Sequence, residues 1–199
     1  MTLLEKTPPG LLSEACIPVL ETERLVLRAP QLEDAKAMAA LANDRRIAEN
    51  TRRIPHPYRE SDAEDFISGA NVAGGDRVFL ITLAGQPIGG CGLAMIDGPA
   101  PELGYWLGVP YWRQGYATES VRAVIDYAFE DLDHEALQAG ARVTNPASRH
   151  VLEKCGFQWT GVGLCRIRAI ASSAPIDQFR LERGIWASLK AWREVKRVA

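Results

Sequence analysis

Apolar residues recur along this chain at two periods, and the switches between those periods mark its elements. "RLVLR" alternates, which predicts a strand with Leu25 and Leu27 on one face. After Pro30 the period changes: Leu32, Ala35, Met38 and Ala42 return at helical spacing. "RRIPHPYRE" is interrupted by two prolines and reads as a loop, and "SDAEDFI" opens a second helix with Ser61 and Glu64 placed for a capping box. "RVFLITL" and "PIGGCGL" flank "AGQ", the mark of a hairpin. "ELGYWLGV" is a further strand, followed by a joint and the helix "TESVRAVIDYAFEDL", with Val121, Ile125 and Ala128 on one face. The strand "ALQAGARV" feeds "NPASRHVLEKCGF", where Asn145 suits an N-cap, Pro146 the first helical position and Gly156 the stop. Strands at "FQWTGVG" and "DQFRLER" and an aromatic-anchored basic tail close the chain.

The predicted order is β-α-α-β-β-β-α-β-α-β-β. Hairpins in the first half imply antiparallel pairing, and strand–helix–strand in the second half implies a parallel neighbour. The expectation is therefore an α+β fold on a mixed sheet. At 199 residues the chain fits one domain, taken as residues 21–199. Residues 1–20, with Pro8, Pro9, Gly10 and Pro18 and no sustained period, read as an extension.

Charge changes this picture little. Lys and Arg number 23 against 25 Asp and Glu, a net charge of −2, which gives no reason to expect a nucleic-acid or membrane partner. Arg45, Arg46, Arg52, Arg53 and Arg59 cluster locally and read as a solvated loop and helix face. Cys16, Cys91, Cys155 and Cys165 are scattered without metal or redox spacing. No histidine spacing supports a metal either: His134 and His150 read as surface or helix residues, while His56 lies on the loop between the first two helices. "MTLLEKTPPGLL" lacks the basic start and apolar stretch of a signal peptide, and no apolar run approaches a bilayer span. A cytoplasmic protein is expected.

The joint "PYWRQGYATES" carries the chemistry. It packs Gly115 and Ala117 with a hydroxyl, Thr118, just before a helix predicted to start at Thr118. The first four N–H groups of a helix lack internal partners, and its dipole adds partial positive charge there. Small residues at such a place let a diphosphate approach the backbone. The same glycine could merely turn the chain, and the spacing alone leaves both readings open. No G-K-[ST] follows, and the preceding strands form a hairpin, so neither a Walker loop nor a dinucleotide-binding βαβ unit fits.

"ELGYWLGVPYWRQGYATES", with "NPASRHVLEKCGF" about thirty residues later, resembles the GNAT superfamily of acetyl-CoA-dependent N-acetyltransferases. More narrowly, it resembles the Rim-type branch that includes the ribosomal-protein N-terminal alanine and serine acetyltransferases. The likeness runs from about Thr22 to Arg183. It implies a mostly antiparallel, twisted GNAT sheet flanked by helices, with acetyl-CoA as cosubstrate and no metal. The family pattern Q/R-x-x-G-x-G/A falls on Trp112 to Ala117, so the backbones of Arg113, Gln114, Gly115, Tyr116, Ala117 and Thr118 would hold the coenzyme diphosphate. Trp112 replaces the usual Gln or Arg, Arg113 stands where glycine is more usual, and Pro110 sits one place late.

In the family the preceding strand splays from its parallel neighbour and pairs with the pantetheine arm. Leu107 and Val109 match those positions, Asn145 matches a pantetheine contact, and one backbone donor would face the thioester oxygen. Ser148 matches the serine proposed as proton donor to the departing thiolate, while the tyrosine used elsewhere in the family is Leu152 here. Glu102 opens the cofactor strand where several relatives place a catalytic glutamate; burial raising its pKa would improve it as a base. The glutamate that the ribosomal branch uses beyond "GF" is Ile167.

The implied reaction is direct attack of a neutral amine on acetyl-CoA in a ternary complex. At pH 7 a lysine-like amine costs about 4–5 kcal/mol to deprotonate, and an α-amine about 1–1.4. The acceptor is left as a protein N-terminus or a small molecule such as an aminoglycoside or polyamine. His56 lies where the family's acceptor groove is bordered. A catalytically silent CoA-binding regulatory module is the alternative, motivated by the missing tyrosine and glutamate. Oligomeric state is open, a homodimer being common among similar proteins.

Overall fold

The computed structural model describes residues 17–71, 75–95 and 100–198. Most of the expected extension over residues 1–20 lies outside the described residues, as does Cys16; Leu20 already belongs to a strand. The elements are β1 (Leu20–Glu21), β2 (Leu25–Arg28), α1 (Ala35–Ala42), α2 (Arg45–Ala48), α3 (Glu60–Gly69), β3 (Arg77–Leu83), β4 (Gln86–Ala94) and β5 (Glu102–Leu107). They continue as α4 (Tyr116–Glu130), β6 (Ala136–Arg142), α5 (Pro146–Lys154), β7 (Gln158–Ile167), β8 (Ser172–Glu182) and α6 (Arg183–Val198). The strands form one sheet in the order β1-β2-β3-β4-β5-β6-β8-β7. All neighbours are antiparallel except β5 and β6, so the sheet is mixed and mostly antiparallel, as expected.

Strand alternation divides the core between the two faces. Phe79 and Ile81 of β3 join the cluster that contains Val121, Val124, Ile125 and Ala128 of α4. Leu80, between them, joins Met38 of α1 with Ala63 and Ile67 of α3. The same parity runs through β5, where Leu103, Tyr105 and Leu107 face the α4 side and Trp106 packs on the α1–α3 side. In β6, Leu137, Ala139 and Ala141 face α4, which turns Gly140 and Arg142 to the other face.

Local details correct several expectations. α3 begins at Glu60, and its box joins Arg59 N–H to the Asp62 carboxylate at 2.9 Å in place of Ser61 and Glu64. The turn between β3 and β4 puts both Ala84 and Gly85 at positive φ, which suits a tight hairpin. β5 ends at Leu107, because the next residues coil into a 3₁₀ turn over Val109–Tyr111; Val109 is not on the strand. α4 begins two residues before the expected Thr118, directly after Gly115.

Candidate active site

β5 and β6 pair at only two positions, Glu102 with Gln138 and Leu103 with Ala139. Beyond Leu103 the strands separate. Gly108 N–H donates to Ile88 O of β4 at 2.8 Å, and Gln138 of β6 donates to Pro101 O at 2.9 Å. Alternation then turns the backbone groups of Tyr105 and Leu107 away from β4, into the gap. The Leu107 carbonyl there already accepts the Trp112 indole N–H at 2.8 Å, and the Val109 carbonyl accepts Trp112 N–H at 3.2 Å. The Leu107 N–H is left facing the gap beside the backbone groups of Tyr105. Trp112 thus does structural work, closing the end of the gap.

The joint follows. Arg113 (φ 61) and Gly115 (φ 84) both adopt left-handed backbone, so the chain coils tightly before α4. Arg113 therefore occupies a conformation that favours glycine, which accounts for glycine being usual there. Among the described residues, the amides of Arg113, Gln114, Gly115, Tyr116, Ala117 and Thr118 donate to no other protein group; the first backbone bond runs from Glu119 N to Gly115 O. Six adjacent unspent donors at a helix N-terminus form a surface suited to a diphosphate.

Arg24 braces this joint from β2's leading edge. Its guanidinium donates to Gln114 O at 3.0 Å, lies 4.5 Å over the Tyr116 ring and pairs with Glu119 at 2.6 Å. Glu119 also accepts from the Thr22 hydroxyl at 2.7 Å and from Arg24 N–H at 2.9 Å. Burial would raise the Glu119 pKa, but the Thr22 hydroxyl, the Arg24 N–H and the Arg24 guanidinium outweigh it and hold the carboxyl below its ordinary 4.5. A lowered folded value means stability that is present above pH 4.5 and lost as pH falls through the folded pKa. Glu119→Ala is expected to cost about 2 kcal/mol at neutral pH, or roughly 4–8 °C in Tm, with the deficit shrinking in acid. Thermal melts of both proteins at pH 7 and below pH 4 check this.

α5 starts as expected: Asn145 Oδ1 accepts Ser148 N–H at 3.2 Å. Among the described residues the Asn145 side-chain amide donates to nothing. One helical turn in, the Ser148 hydroxyl meets Tyr105 OH at 2.8 Å, and Tyr105 OH also lies 3.0 Å from Ser148 O. Burial drives the Tyr105 pKa well above the usual phenol range, against the Ser148 hydrogen bond, so the phenol stays protonated. Leu152, where other relatives carry a tyrosine, is fully buried in the core. Tyr105 is the site residue that the sequence reading missed. Its parity with Leu103 and Leu107 was the available signal.

A cavity of about 710 Å³ opens on the α1–α3 face and reaches through the sheet to Tyr105 and Ser148. Gly104 and Gly140 line its passage between β5 and β6. A Cβ on Gly140 would come 2.9 Å from Ile176 Cγ2. Glu102 lines the same cavity from the opposite face, half-buried, with a carboxylate oxygen 3.0 Å from an Arg52 Nη. Arg52 and Arg53 line it too, and Arg53 pairs with Asp76; both are exposed, as expected of the arginine cluster, and form the solvent-facing rim of the cavity. His56 is exposed and does not line the cavity. Among the described residues no group of three or more His, Cys, Asp or Glu could hold a metal ion, and no helix is long and apolar enough to cross a membrane.

Two opposed faces joined through a gap, with a bare-amide joint at its end, define a class: an enzyme that brings a phosphate-bearing cosubstrate against a second substrate. The comparisons give the family. Residues 24–158 match the acetyltransferase (GNAT) domain. The uncharacterized N-acetyltransferase p20 of Bacillus licheniformis is 33% identical over 149 residues, 72% of this chain and 84% of p20. The fold matches Mycobacterium smegmatis RimJ in complex with CoA-disulfide, with a TM-score of 0.72 at 19% identity over 80% of this chain and 82% of RimJ. It also matches the Vibrio cholerae spermidine N-acetyltransferase in complex with CoA and spermine, with a TM-score of 0.71 at 21% identity over 83% of this chain and 99% of that one. The chain belongs to the GNAT acetyltransferases, which move an acetyl group from acetyl-CoA to an amine.

Proposed function

We propose that this protein acetylates a primary amine by direct attack in a ternary complex, with Glu102 and Ser148 handling protons on opposite sides of the thioester. The observation that carries the reading is the gap between β5 and β6, with Ser148 on one face and Glu102 on the other, both bordering one cavity. The amides of residues 113–118 grip the coenzyme diphosphate, and the Leu107 N–H with the Asn145 amide guides the pantetheine arm. The Val109 N–H takes part from its 3₁₀ turn. The acetyl carbon then sits in the gap. The neutral amine enters from the Glu102 side and its lone pair bonds to that carbon. Glu102 takes the proton leaving the nitrogen, directly or through one water. A backbone N–H facing the gap stabilises the oxyanion. As the C–S bond breaks, the departing sulfur takes the Ser148 hydroxyl proton; the serine oxygen regains a proton from solvent and Glu102 releases the amine proton to solvent, so both residues return to their starting state.

Tyr105 is a positioning residue in this scheme. A phenol that stays protonated and donates to Ser148 O sits within hydrogen-bond distance of Ser148 Oγ and holds that hydroxyl in place for the sulfur. Tyr105→Phe removes one neutral hydrogen bond, worth about 0.5–1.5 kcal/mol, so kcat is expected to fall about 2–10-fold with KM for acetyl-CoA unchanged. Steady-state kinetics separate the two parameters.

The acceptor is a protein α-amine or a small-molecule amine. The test supplies acetyl-CoA with peptides, polyamines, aminoglycosides and amino acids, and follows free CoA thiol and acetylated product. Thiol release with an amine-dependent product supports the reading. Acetyl-CoA binding without turnover on any amine or in cell extract overturns it and makes the chain a silent CoA-binding module.

A further inference from the structure

We infer that the acceptor is an amine carrying an anionic group, carboxylate or phosphate, a few bonds from the reacting nitrogen. Arg142 and Arg168 bind that group, and it draws Arg52 off Glu102. The inference rests on the acetyl-transfer reading of the same cavity.

Three arginines, Arg52, Arg142 and Arg168, line the cavity near β6 and the turn after β7. Arg142 ends β6 on the same sheet face as Glu102, and its Nη1 donates to Glu49 O at 2.9 Å. Its Nε is buried and has no hydrogen-bond partner. Buried donors in folded proteins are nearly always paired, so an orphaned guanidinium N–H beside a cavity marks a missing acceptor. Arg168 stands on the 3₁₀ turn Arg168–Ile170, and its N–H donates to Arg52 O at 3.2 Å, which fixes it next to Arg52. Among the described residues neither Arg142 nor Arg168 has a carboxylate within ion-pairing distance, although both line the cavity.

The cavity's carboxylates do not cancel this charge. Glu102 is matched by Arg52 and Asp76 by Arg53. Asp62 keeps its charge while accepting Arg59 N–H at the start of α3, and it forms no ion pair with Arg142 or Arg168 among the described residues. Asp65 is exposed on α3, which packs over β3, three strands from β6 in the sheet order. Two cationic side chains therefore remain unmatched beside the one carboxylate placed to receive a proton. An ammonium alone would be drawn to Glu102 but would face this surplus of like charge. An ammonium with its own anion satisfies both. Its anion pairs with Arg142 and Arg168 and competes for the exposed Arg52, and release of Arg52 opens the Glu102 oxygen to the amine proton. Polyamines, with several positive charges and no anion, are the acceptors this wall disfavours.

The test uses matched probes on the full chain: free glutamate against glutamine α-amide, which carries no carboxylate, and amidated tripeptides with Glu, Gln or Lys at the second position, with spermidine as the polycation. Acetyl transfer is followed with each, and binding of each to the CoA-loaded protein is measured by calorimetry. The acidic member of at least one pair is expected to react and bind about tenfold better than its neutral partner, the worth of one charge-assisted hydrogen bond. Which pair responds separates a free amino acid from a peptide as the source. Arg168→Gln should erase the preference and Arg168→Glu should invert it, with KM for acetyl-CoA unchanged; Arg168 is exposed, so both variants keep the fold. Arg142→Lys should weaken the preference. Neutral or cationic probes bound as well as acidic ones, a preference that survives both Arg168 variants, or no binding of any probe would overturn the subsite. Acidic preference in binding without turnover would uphold the subsite and sink the transfer reading. Turnover without acidic preference would do the reverse.

Discussion

Gly115→Val is expected to raise the Kd for acetyl-CoA about 100-fold while the protein still folds. The glycine holds φ at 84 as the N-cap of α4, and a Cβ there would stand 3.2 Å from an Arg24 Nη. Left-handed backbone costs a side-chain-bearing residue about 1–2 kcal/mol, more for a β-branched one. A cradle that relaxes to escape this strain loses amide contacts to phosphate, each charge-assisted bond being worth about 1.5–3 kcal/mol. Together these exceed the roughly 2.8 kcal/mol that separates affinities 100-fold apart. Calorimetry gives Kd directly, and the rise in Tm caused by saturating acetyl-CoA should vanish at that concentration. Gly115→Ala should show the same effect at about a tenth the size. An unchanged Kd in the valine variant would mean that the coenzyme phosphates bind elsewhere.

Glu102→Gln is expected to lower kcat with an α-amine acceptor about 10²–10⁴-fold at pH 7, the usual contribution of a positioned proton acceptor. The sign of the pH dependence is the sharper test. An α-amine loses its proton unaided near pH ~7.7–8.0, so the variant should recover steadily as pH rises and the deficit should narrow toward pH ~9. A lysine-like acceptor, with its pKa near ~10.4, should recover far less over that range. KM for acetyl-CoA should not move, since Glu102 faces the cavity from the side opposite Ser148. A kcat equal to the parent's from pH ~6 to ~9 would remove Glu102 from the proton path.

Much of the fold was legible because period, glycine and proline each act locally. "RVFLITL", "AGQ" and "PIGGCGL" could hardly form anything but a hairpin, and Asn145-Pro146 could hardly do other than start a helix. The bare-amide joint was legible for the same reason, since a helix start leaves its first amides without internal partners. The misses arose where a distant contact decides. α4 starts early because Gly115, next to the Gln114 carbonyl that Arg24 holds from just before β2, ends the turn sooner than sequence spacing suggests. β5 stops at Leu107 because Trp112 folds back onto its carbonyl. Tyr105 hides inside an apolar strand, and only its pairing with Ser148, 43 positions on, reveals its hydroxyl. Arg52 is exposed as expected, but nothing nearby in sequence announces its partner Glu102.

The passage through the sheet makes β5 a divider with two tenants. On the proposed reading its odd-numbered positions serve the thioester carrier and its even-numbered positions serve the incoming nitrogen. Selection can therefore re-equip one side for a new recipient while the donor side stays as it is. Insertion of a single residue into that ribbon would transpose both lodgings at once.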